Sequence, residues 1–240
     1  MSRLPILMYH NVSENEIYSV GLTISTKKLE TQFKYLSDNN YKTFHFSELE
    51  SLKQSKSLPK KSVIITFDDV YVSQFELAYH LLQKYNLKAS FFIPFAYVNG
   101  LDDWNTASEP IMSVEQLKAL DASIVELGLH SYEHKNYSKI TPDEVQEDFI
   151  KCQEFVSKNN LNVHNILAYP YGKYPKKNPG RTVFFSILKS NAIAYALRIG
   201  NRVNKFPFKN NYEIQRIDIK GEDSLLKFKG KLKFGKLKLF

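Results

Sequence analysis

The sequence predicts an α/β protein in which seven or eight strand–helix units form a regular, distorted or incomplete barrel. Apolar, β-branched runs of strand length recur throughout the 240 residues, and helical patterns lie between most of them. Strands that alternate with helices pair in parallel, and no linker or repeat divides the chain. The hydrophobic content of 43% excludes a disordered chain, so we expect one large core.

Eight apolar segments have the length and composition of strands. Because they are continuous apolar runs, they are typical of strands that are buried on both faces, as in parallel sheets. In chain order they cover residues 4–10, 41–46, 62–67, 88–93, 124–129, 163–169, 193–197 and 212–219.

Helical patterns connect several of these segments. One begins near residue 26 and carries apolar residues at the spacing i, i+4 and i+7. A second covers about residues 73–85. A third begins at residues 141–144 with a capping box and a Pro at the first helical position.

The third strand segment ends in two adjacent carboxylates, Asp68 and Asp69. In parallel α/β proteins the carboxyl ends of the strands meet the loops in which chemistry is done. Two neighbouring acids repel each other and contribute little to packing, although a helix N-cap or a solvated turn would also use them.

The fifth strand segment ends at His130, and His134 follows four residues later. Two imidazoles at this spacing can bind one metal ion, from a helical turn or from a tight loop. An aspartate from the same end of the sheet would complete a three-ligand set with positions open for water, as in catalytic zinc sites. A structural zinc site would instead close with a fourth ligand, usually Cys.

The sixth strand segment stops at Tyr169-Pro170-Tyr171-Gly172. Pro and Gly fix an irregular backbone that can direct an N–H group into a cleft. Read alone, this segment is an ordinary strand-ending turn. Three strand ends that carry an acid pair, an imidazole pair and this turn together indicate an active site.

These segments resemble the motifs of the polysaccharide deacetylases, a family of metal-dependent carbohydrate N- and O-deacetylases. The first motif is similar to residues 66–71, the second to 130–134 and the third to 168–172. The similarity extends over residues 4–217 and is greatest to the branch that deacetylates poly-N-acetylglucosamine. It implies a deformed (β/α)7 barrel that resembles a TIM barrel.

The resemblance also implies roles for individual residues. Asp68 would be the general base, and Asp69, His130 and His134 would bind one divalent metal ion, usually zinc. The backbone N–H of Tyr171 would help to stabilise the oxyanion. A divalent ion lowers the pKa of bound water to about 7, and a carboxylate outside the metal's ligand set can then accept the water's proton.

Three positions depart from the family pattern. Ala168 stands where much of the family has an Arg that tethers the base, and Val70 replaces the usual Gly of the first motif. No His follows His164, although the family places its catalytic acid in a late Leu-x-His motif. His10 resembles the acid that the poly-N-acetylglucosamine branch supplies from its N-terminal strand, and we expect it to protonate the leaving amine. A hydrogen-bonded His at a strand end is the alternative.

Three aromatic residues near the motifs are predicted to contact substrate: Tyr71, Trp104 and Tyr169. Aromatic faces on loops stack well against sugar rings, but aromatic side chains also anchor loops to a core. For Trp104, which lies in a long loop after the fourth strand segment, the two interpretations have equal support.

The leading hypothesis is a metal-dependent hydrolase that removes acetyl groups from N-acetylhexosamine in a glycan or a glycan precursor, for example in cell-surface polysaccharide biosynthesis. One alternative is a metal amidohydrolase of the same fold that acts on a non-carbohydrate amide. Another is a catalytically silent glycan-binding protein, which Ala168 and the missing late His motif would explain.

The chain carries 33 Lys and Arg against 25 Asp and Glu, a formal net charge of +8. Six of the lysines and no acid lie in residues 227–240, so the remainder carries 27 − 25 = +2. A nearly neutral body does not indicate a nucleic-acid partner. The single cysteine, Cys152, excludes an internal disulfide and suits a reducing compartment. It shares a helical face with apolar residues, so we expect it in the core.

We predict a deacetylase catalytic domain, residues 1–226, and a basic tail, residues 227–240. The tail alternates Lys with Leu and Phe, which fits an edge strand protected by lysines or a segment on an anionic membrane surface, at about 1 kcal/mol per Lys. Disorder is a third interpretation. The apolar start is too short for a signal peptide, and no stretch approaches the ~20 apolar residues of a membrane span. The expected location is the cytoplasm, with peripheral contact at the inner membrane face.

Overall fold

The computed structural model describes residues 2–53 and 57–236. Within these ranges the strands are β1 (Ser2–Leu4), β2 (Ile6–Tyr9), β3 (Val12–Ser13), β4 (Ile24–Ser25), β5 (Lys42–Thr43), β6 (Ser62–Asp68), β7 (Ala89–Ile93), β8 (Val125–Leu129), β9 (Val163–Ala168), β10 (Tyr195–Ile199), β11 (Asn204–Phe206) and β12 (Ile214–Asp218). The α-helices are α1 (Thr26–Asp38), α2 (Leu49–Lys53), α3 (Tyr79–Lys84), α4 (Val114–Ala119), α5 (Pro142–Asn159), α6 (Gly180–Ser190) and α7 (Leu225–Phe234).

Seven parallel strands close into a barrel. Their order is β2, β6, β7, β8, β9, β10 and β12, and β12 pairs with β2 to complete the ring. Each of these strands overlaps one of the predicted segments, and the closed ring confirms the predicted (β/α)7 barrel. The remaining predicted segment, residues 41–46, contributes only the two-residue strand β5, which pairs with the start of β6.

The buried side chains form two clusters because successive residues of a strand point to opposite faces. On β6, for example, Ile64 belongs to the smaller cluster and Ile65 to the larger one. The larger cluster contains the buried apolar residues of α1, α5, α6 and α7, so it lies between the barrel and its helices. The smaller cluster fills the barrel interior and its amino-terminal end.

The three predicted helices form, and the predicted capping box is present at the start of α5. Ser25 caps α1, and Thr141 and Glu144 make both hydrogen bonds of a capping box at the start of α5. A π-helical turn, Gln74–Ala78, leads directly into α3. The two together correspond to the second predicted helix, residues 73–85. Cys152 is fully buried on α5, as expected.

The carboxyl-terminal segment is a helix, so its interpretation as an edge strand is wrong for residues 227–234. Phe228 of α7 is buried and makes an edge-to-face contact with Tyr35 of α1, at 6.3 Å between ring centroids. Lys231 is buried and forms an ion pair with Asp223. The helix crosses the predicted boundary between residues 226 and 227, and residues 237–240 lie outside the described ranges.

A membrane-spanning helix would have to be long and almost entirely apolar, and no helix in the described ranges meets both conditions.

Candidate active site

Five of the residues singled out by the sequence converge at the carboxyl-terminal end of the barrel. Asp68 is the last residue of β6, while His10 and His130 directly follow β2 and β8. The four side chains other than His10 are almost fully desolvated, with exposures of 2–6%: Asp68, Asp69, His130 and His134. Charges in such a site interact strongly because little water screens them.

The chain turns sharply after β6 and after β8. Asp69, Val70 and His134 have φ angles of +77°, +47° and +54°, in the left-handed region that is costly for residues with a Cβ and most of all for a β-branched one. The backbone at Val70 therefore explains why a Gly is usual at this position. The turn allows the adjacent carboxylates of Asp68 and Asp69 to approach the same imidazole, with Nε2 of His130 3.9 Å and 3.6 Å from their oxygens.

Asp69, His130 and His134 form a group with the geometry of a metal site. One ligand atom from each lies within 4.8 Å of the other two. Oδ1 of Asp69 is 3.6 Å from Nε2 of His130 and 3.5 Å from Nε2 of His134. Ligands bound tetrahedrally at about 2.0–2.1 Å lie roughly 3.4 Å apart, so these separations fit one ion.

The state of the three side chains also fits a cation. Oδ1 of Asp69 is buried and has no hydrogen-bond partner within the described part of the chain, which is costly unless a ligand satisfies it. Burial and the nearby Asp68 carboxylate raise the pKa of Asp69 well above its ordinary value. Burial lowers the pKa of His130 to about 4 and that of His134 to about 2, so both imidazoles are neutral at pH 7, as metal ligands must be.

The carbonyl of Ala168 orients the ring of His130. Nδ1 of His130 lies 2.7 Å from this carbonyl oxygen, which can only accept a hydrogen bond. Nδ1 therefore carries the proton, and the lone pair of Nε2 faces Asp69. Such backbone contacts fix the tautomer of metal-binding histidines.

Asp68 is clamped by Arg216, a residue that the sequence reasoning missed. Arg216 lies on β12, is fully buried, and donates from both terminal nitrogens to the two carboxylate oxygens, at 2.5 Å and 2.7 Å. Burial alone would raise the pKa of Asp68, but the Arg216 guanidinium and the neighbouring imidazoles hold it well below its ordinary value. The tether expected at position 168 is therefore present, but it comes from another strand.

His10 lies beside the clamped carboxylate. Its Nε2 is 3.6 Å from Oδ2 of Asp68. Burial lowers the pKa of His10, while the charge of Asp68 acts in the opposite direction. The strands β12, β2 and β6 are consecutive in the barrel, so Arg216, His10 and Asp68 form a connected row across its wall.

The loop that carries both imidazoles is anchored by Asp148 of α5, which sequence reasoning also missed. Its carboxylate accepts hydrogen bonds from the Ser131 hydroxyl at 2.7 Å, the Tyr132 amide at 2.9 Å and the Tyr137 hydroxyl at 2.7 Å. Burial raises the pKa of Asp148. Because Ser131 and Tyr132 lie between His130 and His134, their hydrogen bonds to Asp148 fix the path of the chain between the two histidines.

Aromatic rings enclose His134. Trp104 stacks on the imidazole at 4.7 Å between ring centroids, and the ring of Tyr171 meets it edge to face, also at 4.7 Å. The Tyr171 ring is 49% exposed, and its backbone is left-handed, with φ +58°. Tyr71 is 6% exposed, and its nearby hydroxyl lowers the pKa of the Asp69 carboxyl in opposition to burial.

The prediction that Tyr169 contacts substrate is wrong. Its side chain is fully buried, and its hydroxyl donates to the carbonyl of Tyr212 at 2.9 Å. The ring stacks on Tyr174 and packs against the outer core. Tyr171, two residues later, is the member of this segment that reaches the site.

Known proteins with similar sequences include a carbohydrate N-deacetylase. YxkH of Bacillus subtilis (strain 168) is 29% identical over 174 residues, which cover 72% of this chain and 58% of that protein. The poly-beta-1,6-N-acetyl-D-glucosamine N-deacetylase of Staphylococcus aureus (strain MRSA252) is 26% identical over 221 residues, 88% of this chain and 71% of the enzyme. The chain thus spans little more than half the length of the first of these relatives.

Two solved structures share the fold. The Streptococcus pyogenes deacetylase PplD, in complex with acetate, superposes with a TM-score of 0.78 at 21% identity, over 96% of this chain and 98% of PplD. IcaB from Ammonifex degensii superposes with a TM-score of 0.76 at 22% identity, over 96% and 97%. The family model for polysaccharide deacetylases matches residues 55–180, slightly more than half of the sequence. The chain belongs to the polysaccharide deacetylase family.

Proposed function

We propose that the protein is a metal-dependent N-deacetylase that hydrolyses the acetamide of an N-acetylhexosamine within a glycan or a glycan precursor. The observation that carries this proposal is the buried Asp69–His130–His134 group beside a separate, clamped carboxylate. Hydrolysis of an amide needs an activated water, a proton acceptor and a proton donor, and this group offers a residue for each requirement.

Asp69, His130 and His134 would hold the divalent ion. When bound, such an ion polarises the acetyl carbonyl and lowers the pKa of water; zinc suits a ligand set of one carboxylate and two imidazoles. The partnerless Oδ1 of Asp69 and the fixed tautomer of His130 support this assignment.

Asp68 would accept the proton of the attacking water. The Arg216 clamp keeps this carboxylate ionised and prevents it from turning toward the metal ligands. A base with a low pKa holds a proton weakly, so Asp68 can pass it on to a neighbour. His10, whose Nε2 lies 3.6 Å away, is that neighbour.

His10 would deliver the proton to the leaving amine. Because burial lowers its pKa, His10 is neutral before the reaction and can take up the proton that Asp68 releases. The backbone N–H of Tyr171 would donate to the developing oxyanion, a contribution typically worth about 3–4 kcal/mol of barrier. The half-buried ring of Trp104 and the exposed ring of Tyr171 would stack on the sugar.

Relatives support a carbohydrate substrate. The Staphylococcus aureus relative is named for the N-deacetylation of a poly-N-acetylglucosamine. PplD was solved with acetate, the product that a deacetylase releases. The intact ligand group, Asp68 and His10 argue against a silent binding protein.

Acetate release from N-acetylglucosamine oligomers tests this proposal. We expect release by the protein as purified, loss after dialysis against a chelator, and recovery on addition of a divalent metal. Asp69→Asn should not recover. Release that persists without metal would contradict the mechanism. Turnover of simple N-acetyl amides but of no sugar would favour the amidohydrolase alternative, and binding of oligomers without release would favour the silent glycan-binding protein.

A further inference from the structure

One sector of the barrel is strongly basic. Residues 155–212 contain no Asp or Glu. They contain ten basic residues: Lys158, Lys173, Lys176, Lys177, Arg181, Lys189, Arg198, Arg202, Lys205 and Lys209. Since the whole chain carries +8, the remaining residues together carry 8 − 10 = −2. Apart from the lysines of residues 227–240, the positive charge is therefore concentrated in the part of the barrel built from β9, α6 and β10.

Within this sector, an open depression of about 390 Å³ lies next to the active site. Its lining consists of Ser138 and residues 173–177. These two loops are continuations of the loops that carry His134 and Tyr171. Consecutive Cα atoms are about 3.8 Å apart, so the Cα atom of Lys173 lies within about 7.6 Å of the Cα atom of Tyr171. A glycan bound over Tyr171 can therefore reach Lys173.

The lysines of the depression have no carboxylate partners. Lys173, Lys176 and Lys177 are exposed, and none forms an ion pair with any described residue. The two nearby acids have partners other than these lysines. Glu133 pairs with Lys135 at 2.8 Å, and Glu213 accepts a hydrogen bond from Tyr174 at 2.8 Å.

Two guanidinium groups add to the same field. Burial and the hydrogen bond to Glu213 raise the pKa of Tyr174, which lines the depression, to about 12, while Arg198 and Arg181 act in the opposite direction. Nη1 of Arg181 lies 3.8 Å from Oε1 of Glu213, so this carboxylate offsets part of the Arg181 charge. Nε of Arg198 is buried and has no hydrogen-bond partner in the described ranges.

We propose that this depression is a subsite for an anionic group, a phosphate or a carboxylate, carried by the glycan next to the N-acetylhexosamine that is deacetylated. The inference rests on the proposed function and narrows its substrate to an acidic glycan. Three unpaired lysines beside the catalytic loops raise the local concentration of such a ligand and favour it over a neutral one. A neutral N-acetylglucosamine polymer would leave these charges unused.

Binding measured by isothermal titration of the whole chain tests the inference independently of turnover. Three probes separate the chemistries: a neutral N-acetylglucosamine oligomer, an oligomer alternating N-acetylglucosamine with glucuronic acid, and an oligomer of N-acetylglucosamine joined by phosphodiesters. We expect at least one acidic probe to bind about tenfold more tightly than the neutral probe at low ionic strength. The preference should shrink as salt screens the charges, and the tighter acidic probe identifies the group.

The triple variant Lys173→Gln, Lys176→Gln, Lys177→Gln should lose this preference and leave the affinity for the neutral probe unchanged. A matched variant, Lys60→Gln, Lys158→Gln, Lys189→Gln, removes the same charge from exposed sites and should retain the preference. Equal affinity for all three probes, or equal effects of the two triple variants, would overturn the inference. Acetate release from the neutral oligomer alone would leave the proposed function intact and contradict only the acidic subsite. Preferential binding of an acidic probe without acetate release from any probe would support the acidic subsite and contradict the proposed function.

Discussion

The pairing of Asp68 with Arg216 determines the charge state of the site. Both side chains are almost completely buried, and Arg216 also lies 3.4 Å from the Thr66 hydroxyl and over the ring of Phe92. A buried ion pair need not stabilise a protein, but removing one partner leaves the other as an uncompensated charge. The pair is therefore better explained by the need for an ionised, oriented carboxylate than by stability.

Replacing the guanidinium tests this view. Arg216→Met should lower the free energy of unfolding at pH 7 by about 3–5 kcal/mol, because the Asp68 carboxylate stays buried without a partner. The double variant Arg216→Met, Asp68→Asn should recover most of this loss and none of the activity. Urea unfolding of the wild type, Arg216→Met, Asp68→Asn and the double variant measures the cycle, and an Arg216→Met protein as stable as the wild type would contradict this view.

The same pair predicts a pH dependence of stability. The folded state holds the pKa of Asp68 below its unfolded value of about 3.9, so the pair stabilises the fold above that pH and the stabilisation is lost as the pH falls through the folded pKa. In Arg216→Met the unpaired carboxyl is easily protonated. The stability difference between wild type and variant should therefore narrow as the pH falls from the raised pKa of the unpaired carboxyl toward the depressed pKa of the wild-type Asp68, and a constant difference would refute this.

His10 is the residue whose role depends most on chemistry and least on packing. His10→Gln should reduce kcat by about 10²–10⁴-fold, the usual contribution of a general acid, with little change in KM or metal content. His80→Gln, at an exposed position on α3, is a matched control that should keep full activity. Turnover by His10→Gln near the wild-type rate would remove His10 from the mechanism.

At the scale of elements, the loop after β8 depends on α5. Asp148 receives three hydrogen bonds from this loop, so Asp148→Asn should weaken zinc binding about 10–100-fold, as the loss of outer contacts to metal ligands typically does. Asp143→Asn, in the exposed first turn of the same helix, should leave metal affinity unchanged. Competition with a chromophoric chelator gives both affinities, and equal values would show that the anchor is unnecessary.

The strands and the ends that carry chemistry could be predicted because continuous apolar runs are hard to place anywhere but in a buried parallel sheet. All seven barrel strands were predicted, and the acid pair and imidazole pair lie where those runs stop. The strand predicted for residues 41–46 is shorter in the structure. Only Lys42 and Thr43 pair, and His45 turns inward to meet the carbonyl of Ile124 at 3.1 Å.

Arg216 and Asp148 could not be predicted from local patterns. Each is a charged residue in an amphipathic sequence, where the default expectation is a solvated face. Arg216 is buried only because β12 closes the barrel and brings it to Asp68, 148 residues away in the chain. The outcome for Tyr169 also depends on the folded backbone. The turn after β9 buries the side chain of Tyr169 and directs that of Tyr171 toward the site.

At the scale of the whole molecule, closure of the barrel unites the two ends of the chain. β2 lies between β12 and β6, so the first and last barrel strands place His10 and Arg216 on either side of one seam. The terminal helix α7 covers the same region by packing on α1. The carboxyl-terminal lysines are therefore partly structural, and peripheral membrane contact through them stays a prediction that liposome sedimentation can test.

Helix α7 should accordingly stabilise the catalytic body. Phe228→Ala removes a fully buried ring and should cost about 3–5 kcal/mol of unfolding free energy. Leu226→Ala, two residues earlier and 80% exposed, should change stability by less than about 0.5 kcal/mol. Equal effects of the two substitutions in thermal or urea unfolding would mean that the helix is an independent tail.

The metal centre is the central claim, and anomalous scattering at the zinc edge from crystals of the zinc-loaded protein tests it most directly. We expect one strong peak about 2.0–2.1 Å from Oδ1 of Asp69 and from Nε2 of both His130 and His134, with Asp68 still held by Arg216. A crystal with no peak at these three residues, or with zinc bound by Asp68 in place of Asp69, would contradict the account.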